Sequence, residues 1–172
     1  TQYPDIAPLL GETQWGQGKP YNNMCPLVDG ERSVAGCVAT ALSQIMYKHQ
    51  YPTHGIGSHS YQLKNGTQIS VDFSQATYDW ENMIPRYNKS YTQEQADAVA
   101  ELMYHVGVSC NMGYSPTASG AVSQMALQAM HTYFGYDAGL TPLLKDFMSE
   151  DKILTAIAAD LQQGLPIYMS GT

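Results

Sequence analysis

Charge is what this 172-residue chain has least of. Charged residues make up 13% of it, about half the share usual in soluble domains. Eight are Lys or Arg and fifteen Asp or Glu, giving a net charge of -7. The few basic residues do not cluster. A net charge of that sign repels phosphate backbones and anionic bilayers, which disfavours strong binding to nucleic acid and to anionic membranes. Apolar runs are short, and none approaches the ~20 residues that a membrane span needs. No signal-peptide pattern opens the sequence. Cysteines number only three, with no CxxC pair, and no two histidines are spaced HxxxH, so no zinc framework or dithiol redox motif is present. No metal and no cofactor is expected. Internal repeats and low-complexity linkers are also lacking.

Uncharged polarity takes the place of charge. Thirteen Tyr and fifteen Gly stand beside many Ser, Thr, Asn and Gln, a mixture common in secreted proteins. Hydrophobic residues at 44% suffice for one sizeable core. An odd number of cysteines leaves at least one free thiol. The chain begins at Thr1 rather than Met, as a processed or excised polypeptide would.

Pro4, Pro8, Gly16, Gly18, Pro20, Pro26 and Gly30 punctuate the first 36 residues, which read as irregular backbone. A helix is expected over about 37–48, where Val38, Ala41, Leu42, Ile45 and Met46 recur at helical spacing and Tyr51-Pro52 ends it. "SYQLKNGTQISVDFS" reads as a hairpin about Asn65-Gly66. A second helix opens with a Thr92/Gln95 capping box and carries Ala96, Val99, Leu102, Met103 and Val106 on its core stripe, with Gly107 closing it. A Gly/Ser-rich loop follows over 113–120. A third helix over about 121–134 turns Val122, Met125, Ala129, Met130 and Tyr133 inward, and a fourth covers about 150–163. "PIYMSG" then enters a buried strand. Helices followed by strands predict α+β architecture. A domain rarely stops one strand into a sheet, so more polypeptide is expected to belong to this fold.

Cys37 lies between Gly36 and an alanine-rich helix. Two readings stand side by side. It is either a small buried hydrophobe or a nucleophile set where free N–H groups and the helix dipole favour thiolate. A nucleophilic thiol needs a base. His49 is on the same helix but ~18 Å further along it. His54 and His59 lie in a Gly-rich loop beyond that end, and His105 and His131 fall within helices. None has the context of a partner.

"WGQGKPYNNMCP" (15–26) and "AGCVATALSQIMYKHQYP" (35–52) closely resemble the streptopain family, C10, of secreted bacterial cysteine peptidases. The likeness continues through "YDWENMIPRY" (78–87), "AELMYHVGVSCNMGYSPTASGAVS" (100–123), "FGY" (134–136) and "LPIYMSG" (165–171). The resemblance implies a papain-like α+β fold, with 1–172 forming one incomplete catalytic domain. It implies catalytic Cys37 as nucleophile and Gln17 as a donor of the oxyanion hole, beside the Cys37 backbone N–H. Ser119 and Gly120 match a wall of the substrate cleft. Gly171 and Thr172 match the start of the loop beside the pocket for the residue preceding the scissile one, where the family favours an apolar side chain. The family's catalytic His lies beyond the position of Thr172. The expected partners are therefore protein or peptide substrates, an inhibitory prodomain before activation, and a C-terminal part or companion chain carrying that His. Cys25 and Cys110 match no functional position and read as structural thiols; the sequence leaves a bridge between them open. The rival to a secreted endopeptidase is a non-catalytic papain-like module that binds a peptide or partner.

Overall fold

The computed structural model describes residues 12–137. The expected fourth helix, the strand entered at "PIYMSG", and Gly171 and Thr172 lie outside them. Within them the elements run β1 (Leu27–Val28), β2 (Glu31–Arg32), α1 (Cys37–His49), β3 (Ser58–Gln62), β4 (Gln68–Asp72), α2 (Gln93–Ser109) and α3 (Ser123–Thr132), with short 3-10 turns at Phe73–Gln75 and Trp80–Asn82. β1 pairs antiparallel with β2, and β3 with β4. Of the loop-rich N-terminal stretch, the described residues 12–36 are irregular as expected, apart from the two-residue strands β1 and β2.

α1 is the centre of the core. Every residue from Cys37 to Met46 is buried, where the sequence pattern indicated one apolar stripe. A helix covered on all sides is a core helix. On one side it packs against α2. On another the segment 14–17 crosses it, held by Trp15, whose backbone N–H donates to Gln44 Oε1 (3.1 Å) and whose indole N–H donates to the Ile84 carbonyl (2.9 Å). The Trp15 ring lies against Tyr47 at 5.0 Å between centroids. Polar Thr40 and Gln44 can be buried because each of their hydrogen-bonding groups has a protein partner.

α2 begins as the capping box requires. The Gln95 N–H donates to Thr92 Oγ1 (3.1 Å), and the Thr92 N–H donates to Gln95 Oε1 (2.9 Å). Its expected core stripe is buried throughout. Gly107 does not end it, however. The helix continues to Ser109, and Gly107 sits inside because a Cβ there would collide with the Tyr114 hydroxyl. This glycine answers to a close approach, not to a cap.

The hairpin forms, but Phe73 lies in the 3-10 turn beyond β4 rather than in the strand. Its ring is wholly buried against Tyr133 and Phe134. The connection is longer than a two-residue turn. The Leu63 N–H donates to the Thr67 carbonyl (2.9 Å), and Gly66 takes a φ of 90° within that loop.

α3 is shorter than expected and rotated. Val122 precedes it and is 63% exposed, and Met125 is 39% exposed. Ala129 and Met130 face the core as expected, joined by Ala126 and Leu127 in place of Val122 and Met125. Periodicity permits either phase. Tertiary contact selects this one, in which the Met125 sulfur accepts a hydrogen bond from Asn111 Nδ2 (3.2 Å) at the surface.

Candidate active site

The site is built where α1 starts. Gly36 precedes the first turn at φ 95°, ψ 144°, a conformation open to glycine and costly for other residues. A side chain there would also lack space: its Cβ would meet the Met112 sulfur and terminal methyl at 2.7 Å and the Ser119 carbonyl oxygen at 3.3 Å. The Gly36 carbonyl accepts from the Thr40 N–H (3.0 Å) and the Thr40 hydroxyl (2.8 Å). A trans peptide is planar, so the Cys37 N–H points the opposite way, out of the helix end.

Cys37 itself is 9% exposed. Burial pushes its thiol above the ordinary range, and the backbone N–H groups of Cys37 and Val38 pull it back only in part. The helix start thus opposes protonation, as its sequence position implied, but burial outweighs it. A thiol so placed needs a cationic neighbour to become thiolate.

Gln17 is brought to the same end of α1. Its carbonyl accepts from the Ala35 N–H (2.9 Å), which pins the Trp15–Gln17 segment beside the two residues leading into Cys37. Its side chain is half-buried. The Thr40 hydroxyl lies 3.5 Å from the Gly16 carbonyl, so both approaches to the site meet at one residue.

The 113–120 loop forms the opposite flank. Gly113 and Gly120 exchange backbone hydrogen bonds in both directions, closing it into a ring. The Val34 N–H donates to the Ser115 carbonyl (3.1 Å), and the Ser119 hydroxyl donates to the Val34 carbonyl (2.8 Å) while accepting from the Ser115 N–H (2.9 Å). The buried Ser119 hydroxyl is therefore engaged by the protein itself. The loop is stitched to the segment that enters Cys37, and its exposed Thr117 and half-buried Pro116, Ala118 and Gly120 remain to face outward.

All the histidines are held elsewhere. His54 Nδ1 pairs with the Ala76 carbonyl, His59 Nε2 with Asn111 Oδ1, His105 Nδ1 with the Tyr78 hydroxyl, and His131 Nδ1 with the Tyr136 carbonyl. His49 ends α1 and borders a cavity of about 380 Å³ with Tyr51 and Tyr136. Burial lowers His105 to about 4, which keeps it neutral. Cys25 and Cys110 are free thiols, both buried and both pushed up to about 12 by that burial. They are inert, structural groups. The sequence reading missed Thr40, Gln44 and Met112. A threonine three residues after the cysteine and a glutamine at the next turn on the same helical face were the available signals.

A buried helix thus opens on a thiol, with the Gln17 segment and the 113–120 loop both hydrogen-bonded to the residues that lead into it. Residues 15–172 match the Peptidase C10 family, and the chain belongs to it. It is 30% identical over 187 residues to streptopain of Streptococcus pyogenes, covering 98% of this chain and 47% of that one. It is 29% identical to the thiol protease/hemagglutinin PrtT of Porphyromonas gingivalis, over 96% of this chain and 20% of that one. The solved structure of active wild-type interpain A cysteine protease from Prevotella intermedia superposes with a TM-score of 0.68 at 43% identity, over 72% of this chain and 53% of that one. A prointerpain A fragment with a cysteine-to-alanine substitution gives the same score at 42% identity, over 72% of this chain and 41% of that one. The fold class is accordingly papain-like α+β. The chain spans about half the length of the streptopain it matches. No helix among the described residues is long and apolar enough to cross a membrane.

Proposed function

We propose that this chain is the nucleophile-bearing part of a secreted bacterial cysteine endopeptidase. The observation that carries the reading is the Ala35–Gln17 backbone hydrogen bond (2.9 Å), which sets a carboxamide-bearing segment beside a thiol at a helix N-terminus. Cys37, as thiolate, attacks the scissile carbonyl carbon. The oxygen that gains the charge is met by the Gln17 side-chain amide and the outward Cys37 N–H, a donor pair of the kind worth ~3 kcal/mol of barrier per donor. An imidazole carried by polypeptide outside residues 1–172 takes the thiol proton and gives it to the leaving amine. Water then hydrolyses the thioester and releases the acid. Because burial raises the Cys37 thiol, that imidazolium is also what holds the thiolate.

The wall formed by the 113–120 loop, which Ser119 holds in place and to which Gly120 belongs, is assigned together with Gly171 and Thr172 to the peptide on the acyl side, with an apolar side chain in the pocket for the residue preceding the scissile one. An inhibitory prodomain before activation belongs to the same reading, and the prointerpain A relative, a precursor form by its name, supports it. The full-length protein should be labelled at Cys37 by a peptidyl epoxide or chloromethyl ketone and should cleave peptides. Cys37→Ala should abolish both. Equal labelling and cleavage by Cys37→Ala would refute the assignment, and peptide binding with no turnover by the parent would identify a binding module.

A further inference from the structure

Two oxyanion donors work together only if their spacing is held. Gln17 lies in an irregular segment and Cys37 opens α1, 20 positions further along the chain, so something tertiary has to set that spacing. Thr40 is where the two segments converge. It is 1% exposed. Its hydroxyl donates to the Gly36 carbonyl at 2.8 Å and stands 3.5 Å from the Gly16 carbonyl. Those carbonyls belong to the residues immediately before Cys37 and Gln17. Its own carbonyl accepts from Gln44 Nε2 (3.1 Å), and Gln44 Oε1 accepts from the Trp15 N–H (3.1 Å). One helical face thus grips the glutamine segment at two successive residues.

A helical threonine often back-bonds to the carbonyl four residues earlier with only a structural effect. Two features set this one apart. The carbonyl it meets belongs to the peptide whose other end is the proposed oxyanion donor, and it receives two hydrogen bonds, from the Thr40 N–H and the hydroxyl. Hydrogen bonding to a peptide carbonyl polarises that peptide and strengthens its N–H as a donor. The peptide plane is also fixed, so the donor cannot rock away as charge develops.

Resting on the cysteine-peptidase reading, we propose that Thr40 is a positioning residue of the oxyanion hole, its hydroxyl setting the Cys37 N–H and the Gln17 segment relative to each other. The test compares Thr40→Val, which keeps the shape and removes the hydroxyl, with Thr40→Ser, which keeps the hydroxyl, in the full-length protein. Peptide turnover is read beside alkylation of Cys37 by iodoacetamide, a displacement that develops no oxyanion. Thr40→Val should lower kcat by about 10- to 100-fold, with KM and the alkylation rate within about twofold of the parent. Thr40→Ser should recover kcat to within about threefold of the parent. Parental kcat in Thr40→Val, parallel loss of turnover and alkylation, or a serine variant as impaired as valine would overturn the proposal. If Thr40→Val fails to fold, Thr40→Ala takes its place; an unfolded alanine variant beside a folded, active serine variant would mark Thr40 as a fold residue and overturn it as well. A parent with no turnover, or turnover surviving Cys37→Ala, would refute the peptidase reading itself.

Discussion

Replacing Gly36 by alanine probes the entrance to the nucleophile directly, and its cost follows from two terms. The first is backbone: at φ 95°, ψ 144° the residue lies in a region that is nearly glycine-only, where another residue costs about 1–3 kcal/mol. The second is space. The new Cβ would lie 2.7 Å from the Met112 sulfur and terminal methyl. Met112 is fully buried and its main chain is pinned, since its N–H donates to the Gly107 carbonyl (3.0 Å) and its carbonyl accepts from the Tyr61 hydroxyl (2.7 Å). Only the thioether can give way, into a packed core, at about 1–3 kcal/mol. Together the terms predict a loss of about 2–6 kcal/mol, a large share of the ~5–15 kcal/mol that holds a domain together.

Urea unfolding of the full-length protein, followed by tryptophan fluorescence, measures that loss as a lowered midpoint with unchanged slope. A second substitution separates the terms. Met112→Ala alone should cost about 2–5 kcal/mol for its cavity. In the double variant the clash is gone and only backbone strain and cavity remain, so it should be more stable than additivity predicts by about 1–3 kcal/mol. A Gly36→Ala protein within ~0.5 kcal/mol of the parent, or strictly additive losses, would refute the placement of Met112 against Gly36.

Two further outcomes are expected. His105 has its ordinary value of 6.5 when unfolded and about 4 when folded, so its stabilising contribution is complete above pH 6.5 and is lost as pH falls to 4. At about 1.4 kcal/mol per pH unit the loss is ~3 kcal/mol, and urea titrations at pH 7.5 and 4 should show it in the parent and not in His105→Gln; equal acid sensitivity would refute the buried neutral imidazole. A chromogenic disulfide reagent should find all three cysteines in urea, whereas Cys25 and Cys110, 0% and 1% exposed, should stay silent in the folded protein. Fast modification of either would contradict the buried free thiols.

Elements governed by neighbours in sequence were readable in advance. The Thr92/Gln95 cap is a contact between residues three apart, and the α2 stripe repeats within one helix, so both appear where the residue pattern puts them. The hairpin about Asn65-Gly66 and the start of α1 at Cys37 are local in the same sense. The rotation of α3 and the role of Gly107 were not readable. Each is decided by a partner brought in from elsewhere in the chain: core contacts that outvote Val122 and Met125, and a Tyr114 hydroxyl that occupies the space of a Cβ.

The candidate site divides along the same line. Residue type and order alone mark Cys37 as a thiol at a helix start and, through family likeness, Gln17 as its companion. They carry no distance between the two. Chain folding supplies it, through the Ala35–Gln17 bond, the Thr40 hydroxyl between two carbonyls, and a 113–120 loop sewn to Val34. The protonation of the thiol was likewise beyond local pattern. A helix N-terminus favours thiolate wherever it lies, but the desolvation that opposes it depends on everything packed around α1. Chemical type is written residue by residue, whereas spacing and dielectric exist only once distant segments have met.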